Sequence, residues 1–308
     1  MAELNLEIPD DFLQEENRCG YHITEDTKKI WAVQLDLTNE LLRVCKENQL
    51  KIFPDSGTLL GAVRHHGYIP WDDDLDFMMD RNSYDKLCKI APVAFNDPYF
   101  FQTEETDPGS IYLHAKLRNS KTTGILKSQY NGRCHFNQGI FIDIFPFDNI
   151  PDGEELRKKY LIKTDNLRAK SLSYSLFVYR RRKSDTIKRF MGNSLRNMIS
   201  LIYPKHYYYC RLQKEASMYK DEDTKQFGPI SYKYQTTKDL VLDRSLYSET
   251  TEVPFEFLKM EIPVRAEEIL TIMYGDWKKP VRGGSAHGDV IFDVDKPYTE
   301  YLKDYKDE

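Results

Sequence analysis

Apolar residues recur at steps of three and four through residues 24–48, at Ile30, Val33, Leu37, Leu41 and Val44. With Thr24 placed to cap and Glu25 and Asp26 in the first turn, the spacing predicts an amphipathic helix. A short apolar stretch at 51–54 follows, then an Asp55-Ser56-Gly57 turn, a helical segment over 58–64, a His65-His66-Gly67 turn and a strand ending at Met79. Residues 139–147 read as another strand, apolar except for Asp143 and closed by the turn Pro151-Asp152-Gly153. From 154 to 220 the pattern is helical, with Gly192 its only glycine; strand-like pieces return beyond Asp223. Over 253–276 a proline-bounded strand leads into a helix at 266–274, and the charged tail from Asp289 is expected to be peripheral.

Composition narrows the class. The 308 residues are 40% hydrophobic and 13% aromatic with a net charge of −5, which excludes gross disorder and predicts a globular chain. No window reaches the roughly 18–20 consecutive apolar residues that a spanning helix needs, and the polar N-terminus lacks the apolar core of a signal peptide. Cysteines 19, 45, 88, 134 and 210 are odd in number, widely spaced and without a CxxC pair, so they predict neither a disulfide framework nor a zinc cluster, and a cytoplasmic setting is expected. Charge is segregated: residues 154–220 hold 17 Lys and Arg against 5 Asp and Glu, a net +12, which leaves −17 elsewhere. Such a block suits an anionic surface or substrate, be it lipid, nucleic acid or phosphorylated glycan; a solvated helical face is the plain alternative.

The candidate chemistry centres on Trp71-Asp72-Asp73-Asp74-Leu75-Asp76-Phe77, four carboxylates in five positions between large apolar side chains. On a strand, side chains two apart share a face with Cα atoms about 6.6 Å apart. The expectation is therefore that Asp72, Asp74 and Asp76 face one way and Asp73 the other. Ionised acids that close raise one another's pKa unless a cation compensates, and hard oxygen ligands suit Mg²⁺ or Mn²⁺. Asp143, in Ile140-Phe141-Ile142-Asp143-Ile144-Phe145, is costly to bury unpaired. If its strand lies beside that of Asp74 and Asp76, Asp143 completes a three-carboxylate site able to hold one or two metal ions, the arrangement that steadies both oxygens of a phosphoryl displacement. An acidic surface turn and a solvent-facing edge strand are the plain alternatives.

Ser56, Gly57 and Thr58 precede a helix start, where backbone N–H groups and the helix dipole favour a phosphate. Alternation in His114-Ala115-Lys116-Leu117-Arg118 puts Lys116 and Arg118 on one face, either toward a phosphate or toward solvent. His287, in a glycine-rich stretch, is a candidate ligand-closing residue. There is no HExxH, GxGxxG, Walker or GxSxG pattern, so zincin, dehydrogenase, P-loop and hydrolase-elbow readings lack support.

The run from Asp55-Ser56-Gly57-Thr58-Leu59-Leu60-Gly61-Ala62-Val63-Arg64 through Gly67-Tyr68-Ile69-Pro70 to Trp71-Asp72-Asp73-Asp74-Leu75-Asp76 closely resembles the LicD family, which includes phosphorylcholine transferases and is related to fukutin and the fukutin-related protein. Lys116-Leu117-Arg118, the segment 139–146 and the segments at 254–256, 262–264 and 273–277 also fit. The resemblance covers roughly 20–150 and 250–290. It implies an α+β fold, a nucleotidyltransferase-like mixed sheet flanked by helices, with a core over 20–150 completed by a part over 223–290; nothing transfers to the basic helical region that the pattern itself places over 151–222, nor to the tail over 291–308. It also implies transfer of a substituted phosphate, phosphocholine first, from a CDP-linked donor to a sugar hydroxyl of a lipid-linked or polymeric glycan. Asp74, Asp76 and Asp143 would be catalytic, Asp72 a further metal ligand, and either Asp143 or Asp76 the base. Ser56, Gly57, Thr58, Arg64, Lys116, Arg118 and His287 are the candidate donor-binding residues. Glycerol- or ribitol-phosphate transfer, nucleotide hydrolysis and a catalytically idle glycan-binding protein stay open. A choline headgroup calls for an aromatic cage, for which Tyr203, Tyr207, Tyr208, Tyr209, Tyr219, Tyr232 and Tyr234 are candidates. The partners expected are the donor and the glycan, with peripheral attachment at the inner face of a membrane and no nucleic acid.

Overall fold

The computed structural model describes residues 2–129, 135–179, 186–204, 206–233, 240–283 and 288–304. In chain order the elements are β1 (Glu16–Arg18), β2 (Tyr21–Ile23), α1 (Glu25–Glu47), β3 (Phe53–Pro54), α2 (Ser56–His65), β4 (Asp76–Asp80), α3 (Arg81–Ala94), β5 (Tyr99–Gln102), β6 (Ala115–Asn119), β7 (Thr123–Leu126) and β8 (Ile140–Ile150). They continue with α4 (Glu154–Tyr179), α5 (Thr186–Ile202), α6 (Tyr207–Ala216), β9 (Gln226–Gly228), β10 (Leu242–Asp243), β11 (Thr250–Phe255), β12 (Leu258–Pro263), α7 (Ala266–Tyr274), β13 (Val290–Asp293) and α8 (Tyr298–Tyr301).

The fold is α+β around a mixed sheet. Among the described residues seven strands join in it, in the order β10-β9-β8-β4-β3, with β6 on β8 and β5 on β6. β4 and β8 run parallel; the other pairs are antiparallel. β8 is buried along its whole length, which is why its sequence is mostly apolar rather than alternating, and its polar members Asp143, Asp148 and Asn149 are each paired. α1 crosses β6 and β8, and α3 packs on β4 and β8. The capping expected of Thr24 is observed: its side chain accepts the Thr27 N–H at 3.2 Å.

A second apolar cluster lies where the helical region meets the end of β8, with Ile150, Tyr160, Leu161, Tyr209 and Leu212 buried together. Beside it Arg81 donates two hydrogen bonds to Asp148, at 2.6 and 2.9 Å, both side chains buried.

Three expectations need correction. α2 begins at Ser56, not at 58, because the Asp55 carbonyl already accepts the N–H groups of Thr58 and Leu59. β4 begins at Asp76, so residues 72–75 are not strand and the face alternation drawn for Asp72, Asp73 and Asp74 does not hold. The cause is α1: Trp31 Nε1 donates to the Asp72 carbonyl at 3.1 Å and Gln34 Nε2 to the Asp73 carbonyl at 2.7 Å, which takes those groups away from a strand ladder. Finally, the tail is tied in, since β13 pairs with β7 and the Tyr298 N–H donates to the Thr122 carbonyl.

Candidate active site

Three adjacent strands bring one row of charge together. Asp76 of β4 is in register with Asp143 of β8, and Asp143 is in register with Lys116 of β6. Directly opposed residues share a face. Lys116 and Asp143, 3% and 7% exposed, form a short ion pair, and His114, two residues before Lys116 and so on the same face, places Nε2 3.4 Å from the Asp143 carboxylate. The Lys116 ammonium also sits over the rings of Phe141 (3.8 Å) and Tyr112 (4.5 Å). Burial by itself raises the Asp143 carboxyl, but Lys116 and His114 beside it hold it well below the usual carboxylate range. Asp76 goes the other way: burial, then Asp74, Asp143 and Asp55, push it well above that range.

Backbone bonds fix Asp76. Its N–H donates to Thr58 Oγ1 at 2.8 Å, and its carbonyl accepts the Asp55 N–H at 2.9 Å; next to it the Leu75 carbonyl accepts the Asp143 N–H at 2.9 Å. The turn before it carries Asp72, Asp73 and Asp74, whose carboxylates offer oxygens within 4.8 Å of one another, a spacing that one cation can bridge. Burial, followed by Asp74 and Asp73, pushes Asp72 up to about 8. Asp55 is buried, with Oδ1 lacking a hydrogen-bond partner among the described residues, and burial pushes it up to about 6. Crowded acids such as Asp55, Asp72 and Asp76, all pushed up, are ones that a divalent cation stabilises, and the all-oxygen chemistry of the cluster fits a hard ion.

The start of α2 closes on this turn. Ser56 adopts φ 48°, a left-handed conformation that is strained for serine, and its hydroxyl donates to Asp55 Oδ2 at 3.1 Å. A Cβ on Gly57 would lie 2.9 Å from Asp72 Oδ2, so only glycine lets that carboxylate approach the helix end. Gly57, Arg64, Asp72 and Trp71 line one side of a cavity of about 470 Å³ that Tyr274, Asp276, Trp277 and Lys279 complete. Arg64 is held there by a 2.5 Å hydrogen bond to the Trp277 carbonyl.

The predicted residues thus separate. Asp72, Asp74, Asp76, Asp143, Ser56, Gly57, Thr58 and Lys116 converge, and Arg64 lines the adjoining cavity; Thr58 is buried beneath the site as a brace for Asp76. Lys116 and Arg118 share a strand face, as expected, and both side chains are buried, Lys116 against Asp143. Arg118 donates internally to Gln102 Oε1 (2.5 Å) and the Gly139 carbonyl (2.7 Å). His287 lies outside the described residues, as do Cys134 and Tyr234. Of the candidate cage tyrosines, Tyr203, Tyr207 and Tyr208 pack on one another, Tyr209 is core, and Tyr219 packs on Tyr160. Tyr232 differs: it is 41% exposed and lies on Phe145 at 5.3 Å. Sequence reading missed Asp55 and His114. The His114-to-Lys116 spacing of two was the available signal for one; nothing local marked the other.

Residues 49–169 match the family described as LicD/FKTN/FKRP, nucleotidyltransferase domain. The lipopolysaccharide cholinephosphotransferase LicD of Haemophilus influenzae is 23% identical over 253 residues, 80% of this chain and 89% of that protein. An uncharacterized protein of Rickettsia prowazekii is 49% identical over 55 residues, 18% of this chain and 20% of its own length. Another, of Rickettsia typhi, is 62% identical over 39 residues, 13% and 12% respectively.

Proposed function

We propose, from the premise that this chain belongs to the LicD family, that it is a transferase carrying phosphocholine from CDP-choline to a sugar hydroxyl of a surface glycan such as a lipopolysaccharide precursor. The observation that carries this reading is the row Asp76, Asp143 and Lys116 together with the turn of Asp72, Asp73 and Asp74, whose Asp72 lines a cavity walled by Trp71, Tyr274, Trp277 and Arg64. Likeness to a cholinephosphotransferase supports the headgroup, and so do the aromatic walls, since a quaternary ammonium is held by ring faces.

Asp72, Asp74, Asp76 and Asp143 would hold Mg²⁺ or Mn²⁺, which when bound neutralises diphosphate charge and stabilises the leaving nucleotide. The chain's own residues supply the rest. Lys116 keeps Asp143 ionised as a fixed anchor. Asp76, where burial and the carboxylates of Asp74, Asp143 and Asp55 outweigh the more distant pull of Lys116, is the better proton acceptor for the attacking sugar hydroxyl. The helix dipole and backbone N–H groups at the start of α2 face the phosphates, Arg64 adds positive charge at the cavity wall, and the rings exclude water around the headgroup.

The test is mass spectrometry of products after incubation with CDP-choline, CDP-glycerol or CDP-ribitol, a lipid-linked glycan mixture and Mn²⁺. Phosphocholine on the glycan, abolished by EDTA, is the expected result. Transfer from CDP-glycerol or CDP-ribitol alone overturns the headgroup, release of CMP without an acceptor converts the reading to hydrolysis, and no turnover of any donor overturns the reaction.

A further inference from the structure

The helical region is the most basic part of the chain, yet one of its helices shows apolar side chains to solvent. Met191, Leu195, Met198, Leu201 and Ile202 of α5 are all exposed, Leu201 by 87% and Met191 by 66%. Their spacing of four, three, three and one puts them along a single face. A face of this kind in water marks an interaction surface rather than a scatter of surface residues. The sequence of α5 contains Lys188, Arg189 and Arg196 and no Asp or Glu.

In the same helical region, α4 and α6 enclose a groove of about 410 Å³ lined by Lys159, Lys163, Lys170 and Arg211 together with Ile162 and Leu167. Lys163 pairs with Glu215; within the groove lining itself there is no acid. The Tyr174 hydroxyl of α4 donates to the Tyr203 carbonyl just after α5, and the Tyr203 ring meets Tyr207 of α6 at 4.9 Å, so the apolar stripe and the basic groove belong to one helical unit.

We propose that this unit docks the protein on an anionic lipid bilayer, with α5 lying in the interface, its apolar stripe among the acyl chains, and the groove cations at the headgroup phosphates. Charge complementarity selects this occupant. An acidic protein surface would satisfy the lysines but gives no role to five apolar side chains on a helix devoid of acids, whereas a basic amphipathic helix has the composition that an interface of lipid phosphate and hydrocarbon requires. Docking is interfacial rather than spanning, since no helix among the described residues is long and apolar enough to cross a membrane. The inference stands on α4, α5 and α6 and not on the reaction assigned to the acids, so the two can fail separately.

Flotation of the full chain with phosphatidylcholine vesicles, with and without phosphatidylglycerol, decides it. Binding is expected only with phosphatidylglycerol and should weaken with salt. Each cation near an anionic leaflet is worth about fivefold in partitioning, so Lys159→Gln with Lys170→Gln lowers binding by about 25-fold. Leu195→Glu with Leu201→Glu, both on the exposed face and so without cost to the core, lowers it by at least about tenfold. Met198→Trp provides a reporter whose emission shifts to the blue on adding anionic vesicles. Absence of flotation at low salt, or flotation indifferent to both double variants, overturns the proposal. So does a dimer that sedimentation velocity detects in the parent and not in Leu195→Glu with Leu201→Glu, because the face then belongs to a second copy.

Discussion

Removing the Lys116 ammonium while leaving Asp143 in place should be among the most damaging single changes near the site, and removing both charges should be far milder. Lys116 and Asp143 are buried and in contact across β6 and β8. Two unit charges about 3 Å apart at an effective dielectric of about 20 attract by roughly 5 kcal/mol. Lys116→Met keeps most of the volume but strands a carboxylate beside Asp76, at a cost of about 3–5 kcal/mol. Asp143→Asn strands the ammonium, though the Phe141 and Tyr112 rings still face it, so the loss should fall at the lower end of that range. In the double variant neither charge is left unmatched, so about 5 kcal/mol of the roughly 7 kcal/mol to which the single losses sum should be recovered as coupling, leaving a loss of about 2 kcal/mol. The assay is urea unfolding of all four proteins in EDTA at neutral pH, read by circular dichroism with unchanged m-values.

The sign with pH is also fixed. In the parent, Asp143 is depressed, so its stabilisation is present above the unfolded carboxylate pKa and lost as pH falls through the folded one. In Lys116→Met, burial and Asp76 raise it instead, and stability is lost as pH rises past that unfolded value. The gap between the two proteins should therefore narrow as pH is lowered from 7 toward about 4. Losses that simply add in the double variant, or a gap indifferent to pH, would refute a buried pair as the reason Asp143 is tolerated.

Other outcomes follow from the same geometry. Asp76→Asn should lower kcat/KM by roughly 10²–10³ with folding intact by circular dichroism, and should weaken Mn²⁺ binding in calorimetry; full activity in that variant removes Asp76 from the chemistry. Gly57→Ala sets a methyl against Asp72 Oδ2 while adding a better helix former, so stability should hold within about 1 kcal/mol while metal affinity drops about tenfold. Unchanged affinity would mean that Asp72 is not a ligand. In EDTA the urea midpoint should fall as pH rises from about 4 to 8, because Asp55 (about 6) and Asp72 (about 8) are raised and stabilise only while protonated. Mn²⁺ should restore stability at pH 8, and a flat midpoint in EDTA would contradict the crowding of these acids.

How far the chain could be read depended on how local each signal was. The α1 helix carries its own periodicity, and the apolar run around Asp143 marks a buried strand, so both were legible. The pairing of Asp143 with Lys116 was not, because register between strands 27 residues apart is set by tertiary packing. The strand drawn through Asp72 to Asp76 failed for a similar reason: Trp31 and Gln34, far away in sequence, hold the Asp72 and Asp73 carbonyls. Arg118 looked like a ligand-facing base from alternation alone. Its guanidinium donates to Gln102 and Gly139, partners contributed by β5 and the residue just before β8.

That grip of α1 on the acidic turn has a consequence for how the site can change. Trp31 and Gln34 hold main-chain oxygens, and Tyr68 in turn fixes Gln34 through a 3.0 Å hydrogen bond, so this anchorage of the turn does not depend on which side chains it displays. The three positions 72, 73 and 74 therefore behave as sockets on a rigid mount. Carboxylates there can be exchanged for amides or hydroxyls with the path of the chain preserved, so descendants of this scaffold could explore other ions or donors one ligand at a time without first having to refold the mount.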